Sequence, residues 1–242
     1  MDNDERTLRL SSINANLEAR NLKPLRKLGD FTRGEIELLS IVEIYDHSQR
    51  FFTDVKFAVR FPNGSDGAFT VRFNANGKVS DGAVMVVLIN GKFAIVKQWR
   101  VPLGQWTYEM ARGFGDKLDQ ANIAGALGTI KIADLPLGTL ARELGEDVMA
   151  EAEITSVTHL GNIAENSGTS AIAPSYFLVQ LHVDEARLAR VKGSEEGLSI
   201  KLWEPQELRN QLGRKLCDNH SITAAALALR HIEDLAGMNS GS

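Results

Sequence analysis

The sequence predicts an α+β protein, a mixed β-sheet sandwiched between helices and preceded by an N-terminal antiparallel β meander. Three observations carry this. Runs rich in β-branched and aromatic residues recur through both halves of the chain. Asn90-Gly91 separates two apolar runs, the strongest short-range hairpin signal. Helical stretches are few beside the mixed strands.

In chain order, Ser11 to Leu28 reads as a polar helical lead-in interrupted by Pro24. Glu35 to Tyr45 and Phe51 to Phe61 are strand runs. Ala68 to Phe73 is a third, set off by the turn-forming Pro62-Asn63-Gly64-Ser65-Asp66-Gly67. Together they make the meander. Asn76-Gly77-Lys78 breaks the pattern and places a boundary near Ser80. Ala83 to Ile89 and Lys92 to Arg100 are the arms of the Asn90-Gly91 hairpin. A short strand near Trp106 to Met110 follows, then a glycine-rich loop and a helix from Leu135 to Met149. Strands are expected at Ile154 to Leu160, Ala171 to His182 and Leu198 to Trp203. Two helices close the chain, Pro205 to Leu212 and Ser221 to Ala236, with Ser221 as N-cap and Gly237 as stop.

The 242 residues, 43% hydrophobic and 24% charged, suffice for one large domain or two small ones and exclude a disordered or fibrous chain. The organisation expected is a segment 1–80 and a main domain 81–242. The longest apolar run, Ala83 to Ile89, falls far short of the roughly 20 residues of a membrane span. Met1-Asp2-Asn3-Asp4-Glu5-Arg6 is polar and acidic where a signal peptide would be basic and then apolar. The lone Cys217 makes no internal disulfide or thiolate cage. The expectation is a soluble, cytoplasmic protein. Its net charge of −4 supplies no global basic field to hold nucleic acid.

The segment richest in chemistry is Arg142-Glu143-Leu144-Gly145-Glu146-Asp147. On a helix, Glu143, Glu146 and Asp147 stand at i, i+3 and i+4, so three carboxylates share one face. Like charges at that spacing repel by a few tenths of a kcal/mol per pair. Late in a helix, each is opposed further by the dipole, by roughly 0.3–1 kcal/mol. A cation offsets this, and oxygen-only ligands select a hard one, Mg²⁺ or Mn²⁺.

Upstream runs Lys97-Gln98-Trp99-Arg100-Val101-Pro102-Leu103-Gly104-Gln105-Trp106-Thr107-Tyr108-Glu109-Met110-Ala111-Arg112-Gly113. Together the two segments resemble the Nudix hydrolases of the ADP-ribose and nucleoside-diphosphate-sugar pyrophosphatase branch. In that branch a strand ending Gln-Tyr-Arg precedes Pro-Leu-Gly, a tryptophan and Glu-Leu-Pro-Ala-Gly. Its Nudix box closes on R-E-U-x-E-E-x-G-U, where U is a bulky aliphatic residue. Arg142 to Asp147 fits R-E-U-x-E-E with Asp147 as the second acid, while Met149 and Ala150 replace the closing pair. Strict register opens the box at Gly128 and puts Asp134 in place of its first glutamate. Opening it at Gly113, which the match of Glu109 to Gly113 favours, makes Asp116 to Lys131 an insertion.

The resemblance covers Ala83 to Trp203 and implies a Nudix-type fold with metal-dependent hydrolysis of a nucleoside diphosphate linked to another group. Products would be a nucleoside monophosphate and a sugar phosphate. By the same resemblance Glu143, Glu146, Asp147 and Glu196 hold Mg²⁺ or Mn²⁺. Glu146 and Glu196, with Glu195 in reserve, are the catalytic acids. Arg100, Arg112, Glu109 and Trp106 meet the substrate. Glu109 is either a metal ligand or the residue that holds an arginine. The family also dimerises through its N-terminal sheet, which makes a homodimer the expected state. The competing reading is a catalytically weak or inactive Nudix-like module that binds or senses a nucleotide.

Other motifs carry less. Gly113-Phe114-Gly115 lacks the third glycine of a dinucleotide fingerprint, and the five histidines lack metal spacing. Trp99 and Trp203 read as core.

Asp147 yields a prediction. Aspartate ends about 1.5 Å, one carbon–carbon bond, nearer the helix than glutamate, and Mg²⁺ requires oxygens at about 2.0–2.1 Å. Asp147→Glu should therefore lower the Mg²⁺ concentration giving half-maximal rate. An unchanged or raised value refutes Asp147 as a compromised ligand.

Overall fold

The computed structural model describes residues 3–46, 52–75, 81–113, 153–188 and 199–240. The helix expected at Leu135 to Met149, the stretch Asp116 to Lys131, and Glu195 and Glu196 lie outside them. The chain divides into two compact units, Met1–Asp81 with Ala164–Ala173, and Gly82–Ile163 with Pro174–Ser242.

In the first unit, helix α1 (Asn3–Glu18) precedes strands β1 (Glu37–Asp46), β2 (Phe52–Arg60) and β3 (Asp66–Asn74), which form an antiparallel sheet in that order. Helix α1 starts earlier than the sequence pattern suggested and ends before Pro24. Strand β2 is central, and its residues alternate strictly between buried and half-buried, the period of a strand with one face on a core. Val55, Phe57 and Val59 pack with Phe73, and with Ile13, Leu17, Leu22 and Leu28 from α1 and the chain after it. Each such buried side chain contributes about 1.5–3 kcal/mol. The Asn14 side chain holds the reversal after α1, accepting from Leu25 N at 2.8 Å and donating to Leu25 O at 3.0 Å. On β1, Val42 and Tyr45 stay exposed.

The segment Ala164–Ala173 adds to the outer edge of β3. Arg72 N donates to Thr169 O and Ala171 N donates to Arg72 O, both at 2.8 Å. This corrects the strand expected from Ala171. Ala171 bonds to β3 in the first unit, Ala173 N donates to Asp81 Oδ2, and Pro174 has no N–H to continue a ladder. The strand starts instead at Ser175.

The second unit is built on β4 (Ala83–Ile89), β5 (Lys92–Arg100), β6 (Gln105–Glu109), β7 (Ala111–Gly113), β8 (Glu153–Asn162), β9 (Ser175–His182) and β10 (Ser199–Trp203). Its sheet runs β10-β5-β4-β9-β8, with β6 beside β5 and β7 beside β4. Strands β4 and β9 are parallel and the other pairs antiparallel, so the sheet is mixed as expected. All seven residues of β4 are buried. A strand covered on both faces has no place for polar side chains, which is why it reads as an unbroken apolar run.

The described residues of this unit form helices α2 (Glu185–Leu188), α3 (Pro205–Gln211) and α4 (Asn219–Ser240). On one face of the sheet Val84, Val86, Leu88, Phe93, Ile95 and Tyr176 pack against Leu208 of α3 and Ala224, Ala225, Ala228 and Leu229 of α4. The opposite face gathers Met85, Val87, Ile89, Val96, Phe177 and Val179, with Leu188 against them. No helix among the described residues is long and apolar enough to cross a membrane.

Helix α4 departs from expectation at both ends. It begins two residues before Ser221, and Asp218 caps it, taking Ser221 N on its side chain at 3.1 Å and Ile222 N on its carbonyl at 3.0 Å. The helix also runs through Gly237 to Ser240.

The β4–β5 turn behaves as its sequence requires. Asn90 and Gly91 take φ of 50° and 82°, the left-handed pair a two-residue hairpin needs. The Asn90 amide does a second job, donating to Val183 O at 2.6 Å and accepting from Val183 N at 3.0 Å. Asn90→Gly keeps the turn and loses both bonds, and should cost about 1–3 kcal/mol. Asn90→Ala adds left-handed strain and should cost about 1–2 kcal/mol more. Urea denaturation of the two variants checks that order.

Candidate functional site

The β5–β6 hairpin carries a dense polar cluster. Its register pairs Val96 with Glu109, Gln98 with Thr107, and Arg100 with Gln105. Side chains two apart on a strand share a face, so Gln98, Arg100, Thr107 and Glu109 meet on one side. Glu109 sits at their centre, 1% exposed. It accepts from Arg100 Nε at 2.7 Å, and Arg100 Nη2 reaches its second oxygen to complete a fork. Thr107 Oγ1 donates at 2.6 Å and Gln98 Nε2 at 3.2 Å. Arg112 Nη2 approaches Glu109 Oε2 at 3.1 Å.

Burial alone would raise the Glu109 pKa. The hydrogen bonds from Arg100 and Thr107 and the charges of Arg112 and Arg100 outweigh it, so the carboxyl sits below its ordinary 4.5 and stays ionised.

The cluster continues into α4. Arg112 Nη1 lies 3.3 Å from Asp218 Oδ1, the same oxygen that caps the helix. Ser221, fully buried, accepts from Met110 N at 2.8 Å. This corrects the role expected of Ser221, whose hydroxyl binds the sheet while Asp218 caps the helix. Asp218 Oδ2 is buried without a hydrogen-bond partner among the described residues. A buried acceptor left unpaired costs about 1–3 kcal/mol, so Asp218 Oδ2 retains capacity to accept from another donor.

Of the residues singled out from sequence, the structure gathers Arg100, Arg112 and Glu109. Of the two roles left open for Glu109, its oxygens are engaged by arginines. Trp106 stands apart. It pairs with Trp99 across the hairpin, on the face opposite Glu109. Trp203 is buried as expected, but Trp99 is 49% exposed, which corrects its assignment to the core. Trp99 lies near the far end of β5, beyond Phe93 and Ile95 under the helices. Glu143, Glu146, Asp147, Glu195 and Glu196 lie outside the described residues. Among the described residues no three His, Cys, Asp or Glu side chains cluster as a metal site would. Sequence reasoning gave Ser221 a capping role and missed the parts played by Gln98, Thr107 and Asp218. Strand alternation around Arg100 and Glu109 signals the first two. Nothing local signals Asp218, 106 residues from Arg112.

No family model matches this chain, and no curated protein matches it by sequence. Among solved structures 86 chains match. One is the crystal structure of an ADP compounds hydrolase, with a TM-score of 0.51 and 12% identity over 81% of this chain and 95% of that one. At that identity the likeness is one of fold, at the level of a mixed α+β architecture.

The buried carboxylate makes stability pH-dependent. A group whose folded pKa is depressed contributes stability that is full above its unfolded value and is lost as pH falls through the folded value. Glu109→Gln should cost about 3 kcal/mol near neutral pH, since it removes the buried anion that Arg100 and Arg112 share, and Arg112 keeps only Asp218. That cost should shrink below the ordinary 4.5. Urea titrations of both proteins from about pH 7 to about pH 3 measure it, and a pH-independent difference refutes the ionised state.

Proposed function

We propose that the protein hydrolyses the diphosphate of a nucleoside diphosphate joined to another group, of the ADP-ribose or nucleotide-sugar type, giving a nucleoside monophosphate and a sugar phosphate. The observation that carries this is the anchoring of Arg100 and Arg112 on one buried, ionised carboxylate, in the chain segment that leads toward the acidic run Glu143 to Asp147. The fold likeness to a hydrolase of ADP compounds supports the same reading.

Guanidinium forks match phosphate oxygens better than lysine does, and a fork already fixed by Glu109 loses less side-chain freedom on binding. Arg100 and Arg112, 31% and 26% exposed, are therefore read as the groups that take the diphosphate oxygens. Glu109 is a positioning residue for both. Glu143, Glu146, Asp147 and Glu196 would hold Mg²⁺ or Mn²⁺, and this all-oxygen donor set fits a hard ion. Such an ion, when bound, neutralises diphosphate charge and lowers the pKa of a water. Glu146 and Glu196, with Glu195 in reserve, would accept the proton of the attacking water at a carboxylate oxygen. The competing reading, a nucleotide-binding module without turnover, draws on Met149 and Ala150, which depart from the box.

The test is turnover. With Mg²⁺ or Mn²⁺, a panel of ADP-ribose, nucleotide sugars, dinucleotides and coenzyme A should contain at least one compound cleaved at its diphosphate. Glu146→Gln should slow that cleavage at least about a hundredfold and leave stability equal or higher, because it removes one charge from a crowded face. Nucleotide binding without cleavage establishes the module instead, and full turnover by Glu146→Gln removes the metal assignment.

A further inference from the structure

The face of the β5–β6 hairpin opposite Glu109 carries a row of aromatic rings. Trp99 and Trp106 meet edge to face with centroids 5.9 Å apart, and they remain 49% and 47% exposed. Tyr108 follows on the same face of β6, its ring 5.4 Å from that of buried Trp203. Ammonium groups lie over these rings. Lys97 Nζ is 4.8 Å from the Trp106 centroid, while Lys201 and Lys215 are 5.7 and 5.8 Å from that of Tyr108. None of these three lysines has a carboxylate partner among the described residues. Lys23, Lys27 and Lys92, by contrast, pair with Asp81, Glu35 and Glu204.

We propose that this row binds single-stranded nucleic acid, with bases stacked on Trp99, Trp106 and Tyr108 and phosphates on Lys97, Lys201 and Lys215. The two halves of that ligand match the two halves of the surface. Bases stack on the half-exposed Trp99 and Trp106 rings. Phosphates draw the lysines, which have no carboxylate partner among the described residues, from the ring faces they now cover. The spacing selects a strand over a mononucleotide. Trp106 and Tyr108 are two residues apart on β6, about 7 Å along the strand, and the lysines divide between those two rings. One phosphate group does not serve both. Net charge argued against nucleic acid, but it describes the far field, whereas stacking and phosphate pairing act at contact. Their sequence-tolerant chemistry predicts binding without base preference. The site stands independently of the hydrolase reading, because Arg100 and Glu109 face the other way.

The test is fluorescence anisotropy of a labelled single strand of about ten thymidines, titrated with the full chain at low salt, alongside its tryptophan emission. Binding with quenched emission is expected. Trp106→Ala should weaken it about tenfold. Lys201→Gln should flatten the dependence of log affinity on log salt by about 0.7. Both side chains are surface groups, and circular dichroism confirms that each variant is folded. Absence of binding overturns the proposal. So does equal competition by tripolyphosphate, which marks a plain anion patch, or by ADP, which marks a mononucleotide site. Loss of a dimer on Trp106→Ala, without any effect on the oligonucleotide, assigns the rings to a second copy of this chain and also overturns it.

Discussion

An ionised carboxylate buried at the end of β6 demands donors from every direction, and the donors of Glu109 organise the second unit around it. Removing a charge from water without compensation costs far more than one hydrogen bond returns. Glu109 is tolerated because Arg100, Thr107, Gln98 and Arg112 surround it. Arg112 is held in turn by Asp218, and Asp218 caps α4. Ser221 ties that helix back to Met110. The sheet edge and the start of the main helix are thereby joined by a single chain of polar contacts. Arginines fixed on this chain are preorganised for an anion, which is the property a diphosphate site requires.

One hairpin presents two chemistries because side chains alternate along a strand. Residues at odd steps from Glu109 face away from it, so Trp106 and Tyr108 leave the arginine cluster although they are its immediate sequence neighbours. A linear reading places Trp106 beside Arg100 in a substrate pocket. The pleat separates them and groups Trp106 with Trp99 and Lys97 instead. The same alternation makes β2 half-buried and the two-faced burial of β4 absolute.

The first unit shows how a small sheet obtains enough core. Three strands alone bury little, and β2 and β3 gain Leu17, Leu22 and Leu28 from α1 and the chain that follows it. The edge of β3 is paired by residues contributed from between β8 and β9. Pairing removes the exposed ladder that an open strand edge presents to other chains. On β1, exposed Val42 and Tyr45 leave apolar surface at the other side of the sheet.

The sequence by itself determined the elements whose signals are local. The apolar run of β4, the Asn90-Gly91 turn and the alternating β2 are legible because burial period and left-handed φ are properties of a few adjacent residues. The mixed α+β class followed from them, whereas Arg100, Arg112 and Glu109 stood out through the family resemblance of the segment Lys97 to Gly113. Tertiary structure alone decided what those residues touch. Asp218 reaches Arg112 across 106 positions, Ser221 binds Met110 and not its own helix end, and Ala171 to Ala173 leave the ladder expected of them for partners in the first unit. Each of these depends on a partner distant in sequence, and hydrogen-bonding capacity written in a side chain does not say which distant group will satisfy it.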